Sequence, residues 1–235
     1  MSSIKTIASR LASRFFPQFR YSVRAYSSEG EDLILKRIFH NKTKGIYVDV
    51  GAHHPFRFSN TYLFYKMNWT GINIDPMPGS RALFNKYRPM DTNLEIGVSA
   101  ERQHLTYCIF NEPALNTFSL EKVKEYTQAP QYRVIREKKI ETWPLADILD
   151  RYLTGDTPID FLTIDAEGLD MEVLQSNNWQ KYRPAYVLVE SQPFELSHID
   201  DSALCRYMQE IGYAIFAKTY YTYFFKNMRN EYAGK

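Results

Sequence analysis

Five apolar runs separated by helix-like stretches dictate what this chain can fold into. They are GIYVDVGA (45–52), GINIDP (71–76), TNLEIGVSA (92–100), IDFLTIDAEG (159–168) and PAYVLVES (184–191). Strands this apolar belong in a sheet covered on both faces, and the stretches between them supply the cover. Helical spacing is read in EGEDLILKRIF (29–39), NTYLFYKMN (60–68), residues 78–88, PLADILDRYL (144–153), LDMEVLQSN (169–177) and DDSALCRYMQEI (200–211). Alternation of this kind predicts a mostly parallel, doubly wound α/β sheet with right-handed crossovers. GYAIFAKT (212–219) and YTYFFKN (221–227) lie too close together for a crossover helix, so they predict an antiparallel C-terminal hairpin.

Two segments depart from that rhythm. Residues 101–143 hold two extra strand-like runs, HLTYCIF and YRVIREKKIET, joined by a polar stretch, and read as an insertion that can serve the acceptor. Residues 1–28 carry Lys5, Arg10, Arg14, Arg20 and Arg24 but no acid, with Ile4, Ile7, Ala8, Leu11 and Phe15 at helical spacing. This basic amphipathic segment precedes a domain spanning 29–235. Docking of the helix on that domain, contact of residues 1–24 with a partner or with anionic lipid at the inner membrane face, and an organelle transit peptide are open readings.

Composition removes several function classes. A net charge of +2 and a pI near 8.3 are too mild for a surface that tracks phosphates, so no nucleic acid is expected. Cys108 and Cys205 lie far apart with no CxxC or Cys/His spacing, which argues against a disulfide framework or structural zinc and for a reducing compartment. No run approaches the roughly 18 apolar residues of a membrane span. The expectation is a soluble, cytoplasmic protein.

In open α/β sheets, ligands bind beyond the carboxyl ends of the strands. Four strands carry an acid there: Asp49, Asp75, Asp165 and Glu190. Any one of them can be a helix cap; four clustered acids repel unless something cationic or rich in hydroxyls sits among them. A dinucleotide site would supply G-x-G-x-x-G for its pyrophosphate, but Gly51 is followed by Ala52, His53, His54 and Pro55. S-adenosylmethionine carries a sulfonium, an ammonium and two ribose hydroxyls with no phosphate, and suits an acidic edge. Asp75, 26 residues after Asp49, is placed to accept both ribose hydroxyls.

The stretches YSSEGEDLIL, GIYVDVGAHHPFRFSNTYLFYKMNWTGINIDP, NLEIGVSA and IDFLTIDAEGLDMEVLQS followed by RPAYVLVE come in this order between residue 26 and about 190. The ordered set resembles the FkbM-type family of S-adenosylmethionine-dependent methyltransferases. That resemblance implies a Rossmann-like class I methyltransferase fold, whose seventh-strand reversal is similar to the terminal hairpin. It also implies methyl transfer, frequently to a hydroxyl of a sugar or glycosylated metabolite. Glu31 and Asp32 look like family positions on a helix over the cofactor end. Two departures are His53, where many relatives have Asn or another small polar residue, and Ala166, where they have Val.

Methyl transfer is an in-line displacement, so alignment supplies much of its rate. Gly51, Ala52 and His53 form the turn under the methionine part, with Asp49 anchoring it or reaching the ammonium through water. Asp75 takes the ribose, Ser99 stands by the adenine edge, and Glu31 closes the cofactor side. A sugar hydroxyl needs a base or a metal. His54, Asp165, Glu167 and Glu190 are the candidates for catalysis, and Asp165 with Glu190 for a Mg²⁺ ion. Two other readings stay open: an NAD(P)-dependent oxidoreductase of Rossmann type, and a catalytically inactive binding module acting through its N-terminal helix.

Overall fold

The computed structural model describes residues 18, 21–153, 155, 157–191 and 202–229. The basic helix expected before residue 25 lies almost wholly outside the described residues, and residues 22–26 have no regular structure.

The chain runs α1 (Glu31–Ile38), β1 (Ile46–Val50), α2 (Tyr62–Tyr65), β2 (Thr70–Ile74), α3 (Ser80–Tyr87), β3 (Thr92–Leu94), β4 (Gly97–Val98) and β5 (Gln103–Phe110). It continues through α4 (Leu120–Tyr126), β6 (Val134–Trp143), α5 (Leu145–Tyr152), β7 (Phe161–Ile164), α6 (Asp170–Gln175), β8 (Tyr186–Glu190), α7 (Ala203–Glu210), β9 (Tyr213–Lys218) and β10 (Thr222–Asn227). Seven strands form the main sheet in the order β3-β2-β1-β7-β8-β10-β9. The strands β3, β2, β1, β7 and β8 pair in parallel, and β10 enters antiparallel between β8 and β9. The topology therefore reverses between β1 and β7, where an α/β sheet opens its binding crevice.

Strand alternation sorts the core into two layers. Val48, Val50, Ile72, Ile74, Leu162, Ile164, Val187 and Val189 face α5, α6 and α7, whose Ile148, Leu149, Val173, Leu174, Cys205 and Met208 cover them. On the other face Tyr47, Phe161, Leu188 and Phe224 meet Leu35 of α1, Phe64 of α2 and Trp69. Burying side chains of this size contributes about 1.5–3 kcal/mol each before entropy is subtracted.

The run 92–100, read above as one strand, is two. β3 ends the main sheet beside β2, and after the exposed Glu95 the chain crosses to β4, which pairs with β6 in a separate three-stranded sheet, β4-β6-β5. Glu95 turns outward to accept the amide of Gly79 at 2.9 Å. The segment 101–143 builds the rest of this small sheet, and its polar middle contains helix α4, capped by Ser119 accepting from the Lys122 amide.

A polar network is buried beneath β1 and β2. Arg88 and Asp91 pair at 2.8 Å with both side chains fully buried. The Asp91 carboxylate also accepts from the Tyr47 hydroxyl, the Gly71 amide and Asn73. A buried ion pair is tolerated when its remaining hydrogen-bonding capacity is met, as it is here.

Candidate functional site: an acidic cavity at the switch point

The turn leaving β1 is fixed by backbone. Gly51 has φ +79, and its amide donates to Ile74 O at 2.9 Å, while the Ala52 amide donates to the same oxygen at 3.1 Å. On the other side the Asp165 amide donates to Val50 O at 3.0 Å. The chains come so close that a Cβ on Gly51 would lie 1.7 Å from the Asp165 carbonyl oxygen. Only glycine combines this φ with this approach.

Above the turn lies a cavity of about 410 Å³. The carboxyl edge of the main sheet forms its floor, through Gly51, Asp75, Asp165 and Glu190. The small sheet and the loop after it form the opposite wall, through Tyr107, Asn116, Thr117 and Phe118. Glu29, Glu31 and Glu167 add three further carboxylates, and among the described residues no lysine or arginine lines the space. The residues therefore suit a cationic, hydroxyl-bearing cofactor and not a diphosphate.

Asp75, at the end of β2, accepts the His53 amide through Oδ2 and the Met77 amide through Oδ1, both at 2.8 Å. Burial pushes its carboxyl up to about 7 against those two bonds. Past β4's entry, Ile96, Gly97 and Val98 line the adjoining edge, and Gly97 lies so close to Phe118 that a Cβ would meet its ring at 2.8 Å. This apolar slot lies beside the Asp75 carboxylate and has the flat, apolar character that suits an aromatic ring.

A second group of acids stands at the ends of β7 and β8. Burial, then the neighbouring Glu190 and Glu167 charges, hold the Asp165 carboxyl well above its usual range. Glu167 follows with φ +48. Its carboxyl is raised to about 7, chiefly by burial and against the hydrogen bond that the Tyr126 hydroxyl of α4 donates to it. Its carbonyl accepts from the Thr117 hydroxyl at 2.7 Å, so both insertion elements grip this turn. On the far side, Glu31 accepts the Thr222 hydroxyl at 3.1 Å and Glu29 accepts the Tyr221 amide at 2.9 Å, which fastens the start of α1 to the terminal hairpin.

The structure gathers Gly51, His53, Asp75, Asp165, Glu167, Glu190 and Glu31 around one cavity. Other sequence candidates lie elsewhere. His54 turns away: its Nδ1 accepts the amides of Phe56 and Arg57 at 3.3 and 3.2 Å, which closes the loop. His53 is the histidine at the cavity; burial lowers it to about 4, so it is neutral at physiological pH. Ser99 is fully buried and its hydroxyl lies 2.7 Å from that of Thr142, because the chain has already passed into the small sheet. Asp49 shares the face of Tyr47 and accepts from Thr61 at 2.7 Å beneath the turn, outside the lining. Ala52 contributes its backbone only, and Asp32 is taken up by Ser27 and the Tyr26 amide. Asn60, Glu29, Phe118 and Tyr126 are not among the sequence candidates, since each sits in a loop or insertion without a spacing signal.

Asp165 and Glu190 supply two carboxyl groups to the Mg²⁺ site expected from the sequence. Among the described residues no group of three or more His, Cys, Asp or Glu is placed to hold a metal ion.

A parallel sheet reversing at β1 and β7, with a hairpin strand at its end and an acidic, phosphate-averse cavity at the reversal, defines a Rossmann-like methyltransferase. The chain belongs to the FkbM methyltransferase family: the family's methyltransferase FkbM domain matches residues 49–215. No curated protein and no solved structure matches it. Among the described residues no helix is long and apolar enough to cross a membrane.

Proposed function

We propose that the protein transfers a methyl group from S-adenosylmethionine to a hydroxyl of a sugar, on a glycan or a glycosylated metabolite. The observation that carries this reading is the cavity itself, floored by the pinned Gly51 turn and walled by carboxylates without a lysine or arginine among the described residues. When bound, the cofactor supplies an electrophilic methyl on a positively charged sulfur. Asp75 would hold the ribose hydroxyls, and the Glu29 and Glu31 carboxylates would favour the cofactor's ammonium.

The acceptor hydroxyl is a weak nucleophile at neutral pH. As the acceptor oxygen takes the methyl group, Glu167 would accept the hydroxyl proton. A carboxyl raised to about 7 is matched to that task, and Tyr126 orients the oxygen that takes the proton. Asp165 and Glu190 bear on the same spot electrostatically. The donor set does not fit a metal, so no step passes through one, and turnover is expected to be unchanged in EDTA. Activity abolished by chelator and restored by Mg²⁺ would reassign the pair as ligands.

Calorimetric titration with S-adenosylhomocysteine tests the cofactor. Binding is expected for the wild type, with a loss of about tenfold or more for Asp75→Ala, since a group hydrogen-bonded to a carboxylate is worth about 1.5–3 kcal/mol. Heat on titration with NAD and none with S-adenosylhomocysteine would refute the reading. Incubation with labelled methyl donor and a panel of glycans, followed by mass spectrometry, tests the acceptor class; label confined to non-carbohydrate acceptors would overturn it.

A further inference from the structure

The loop from Gly51 to Thr61 forms the cofactor side of the cavity, yet its end is held from outside the cavity by one buried cation. Arg88, fully buried, donates from Nε to Asp91 at 2.8 Å and from Nη2 to the Tyr47 hydroxyl at 2.9 Å. Its Nη1 is 3.0 Å from Thr61 Oγ1 and 3.5 Å from Ser59 Oγ. Those two residues flank Asn60, which lines the cavity and donates from Nδ2 to Thr163 Oγ1 of β7 at 2.9 Å. Thr61 in turn donates to Asp49 Oδ2 at 2.7 Å, two residues before Gly51.

Under the sheet the Arg88–Asp91 pair is met by Tyr47, Gly71 and Asn73, and the one remaining guanidinium nitrogen, Nη1, is met by the loop. What the extra guanidinium nitrogen does is grip the loop on both sides of the one amide side chain that it presents to the cavity. Asn60 is spent on Thr163 through its NH₂ group, and among the described residues no hydrogen bond engages its carbonyl oxygen, which leaves an acceptor for a cofactor donor such as an ammonium.

We propose that Arg88 is a positioning residue of the methyl-donor site, acting through Ser59 and Thr61 to fix Asn60 at the cavity wall. The inference rests on the methyl-donor reading above. Thr61 is the link through which it can be tested without emptying the buried pair. Thr61→Val keeps the volume and removes the hydroxyl; Thr61→Ser keeps the hydroxyl.

The measurement is calorimetric affinity for S-adenosylhomocysteine, with thermal unfolding of each variant alongside. Thr61→Val is expected to bind about tenfold more weakly than wild type, and Thr61→Ser within about twofold of it, because only the first removes the charge-assisted link. Asn60→Ala should weaken binding by a similar factor, and the double variant Asn60→Ala/Thr61→Val should bind like Asn60→Ala alone. That non-additivity marks action through Asn60; a purely structural role would lower the unfolding midpoint and leave the two losses additive. Equal affinities for Thr61→Val and Thr61→Ser, or additive losses, would overturn the proposal while leaving the cofactor assignment intact. A wild type that binds no S-adenosylhomocysteine would instead remove the methyl-donor reading, and this inference with it.

Discussion

Gly51→Ala is expected to abolish S-adenosylhomocysteine binding and to destabilise the fold by more than about 3 kcal/mol, the upper end of the cost of a left-handed non-glycine residue with a clash added. The left-handed φ alone would account for about 1–3 kcal/mol. The rest is steric: the new methyl would lie 1.7 Å from the Asp165 carbonyl oxygen, which is backbone in a residue itself anchored through its own amide to Val50. Relief would require β1 and β7 to part at the point where the cavity opens. Gly79 provides the control, with φ +91 and no atom within 4 Å of the place a Cβ would take. Gly79→Ala should cost only about 1 kcal/mol. Urea unfolding of both variants reads the difference, and similar costs at the two positions would show that the close approach at Gly51 is unimportant.

The second large effect is on chemistry. Glu167→Gln should lower kcat by roughly 10²–10⁴-fold, the span of a lost general base, with affinity for S-adenosylhomocysteine kept. In the wild type, kcat should rise with pH through about 7, because burial raises the Glu167 carboxyl to that value and only the ionised form can take a proton. The same shift has a consequence for folding. A carboxyl whose folded pKa is raised favours the folded state fully below its unfolded value, and that contribution is lost as pH rises through about 7. Activity and stability should therefore move in opposite directions across this window. A flat kcat profile between about pH 5 and 8, or full activity in Glu167→Gln, would remove Glu167 from the reaction.

How much of this is legible in the sequence follows from what carries the signal. Ile46–Val50, Phe161–Ile164 and Tyr186–Glu190 are core strands of the parallel sheet, so their composition alone marks them, and the acids at their ends mark the crevice. The same near-uniform burial hides which way each side chain points. Asp49 reads like Asp75, yet strand alternation puts it beneath the sheet with Tyr47 and Arg88. The tandem His53 and His54 differ by one residue in a turn with φ +53, and only the backbone decides that His53 faces the cavity while His54 closes the loop. The break between β3 and β4 turns on Glu95 finding Gly79, a contact with no trace in local spacing. Asn60 and Tyr126 depend on long-range partners in the same way.

The fastening of Glu29 and Glu31 to Tyr221 and Thr222 spans more than 190 residues of chain. One rim of the cavity is thus completed only by strand β10, which also covers the edge of β8. During synthesis the nascent polypeptide carries that open edge until β10 has left the ribosome, and until then the unpaired edge of β8 invites edge-to-edge aggregation.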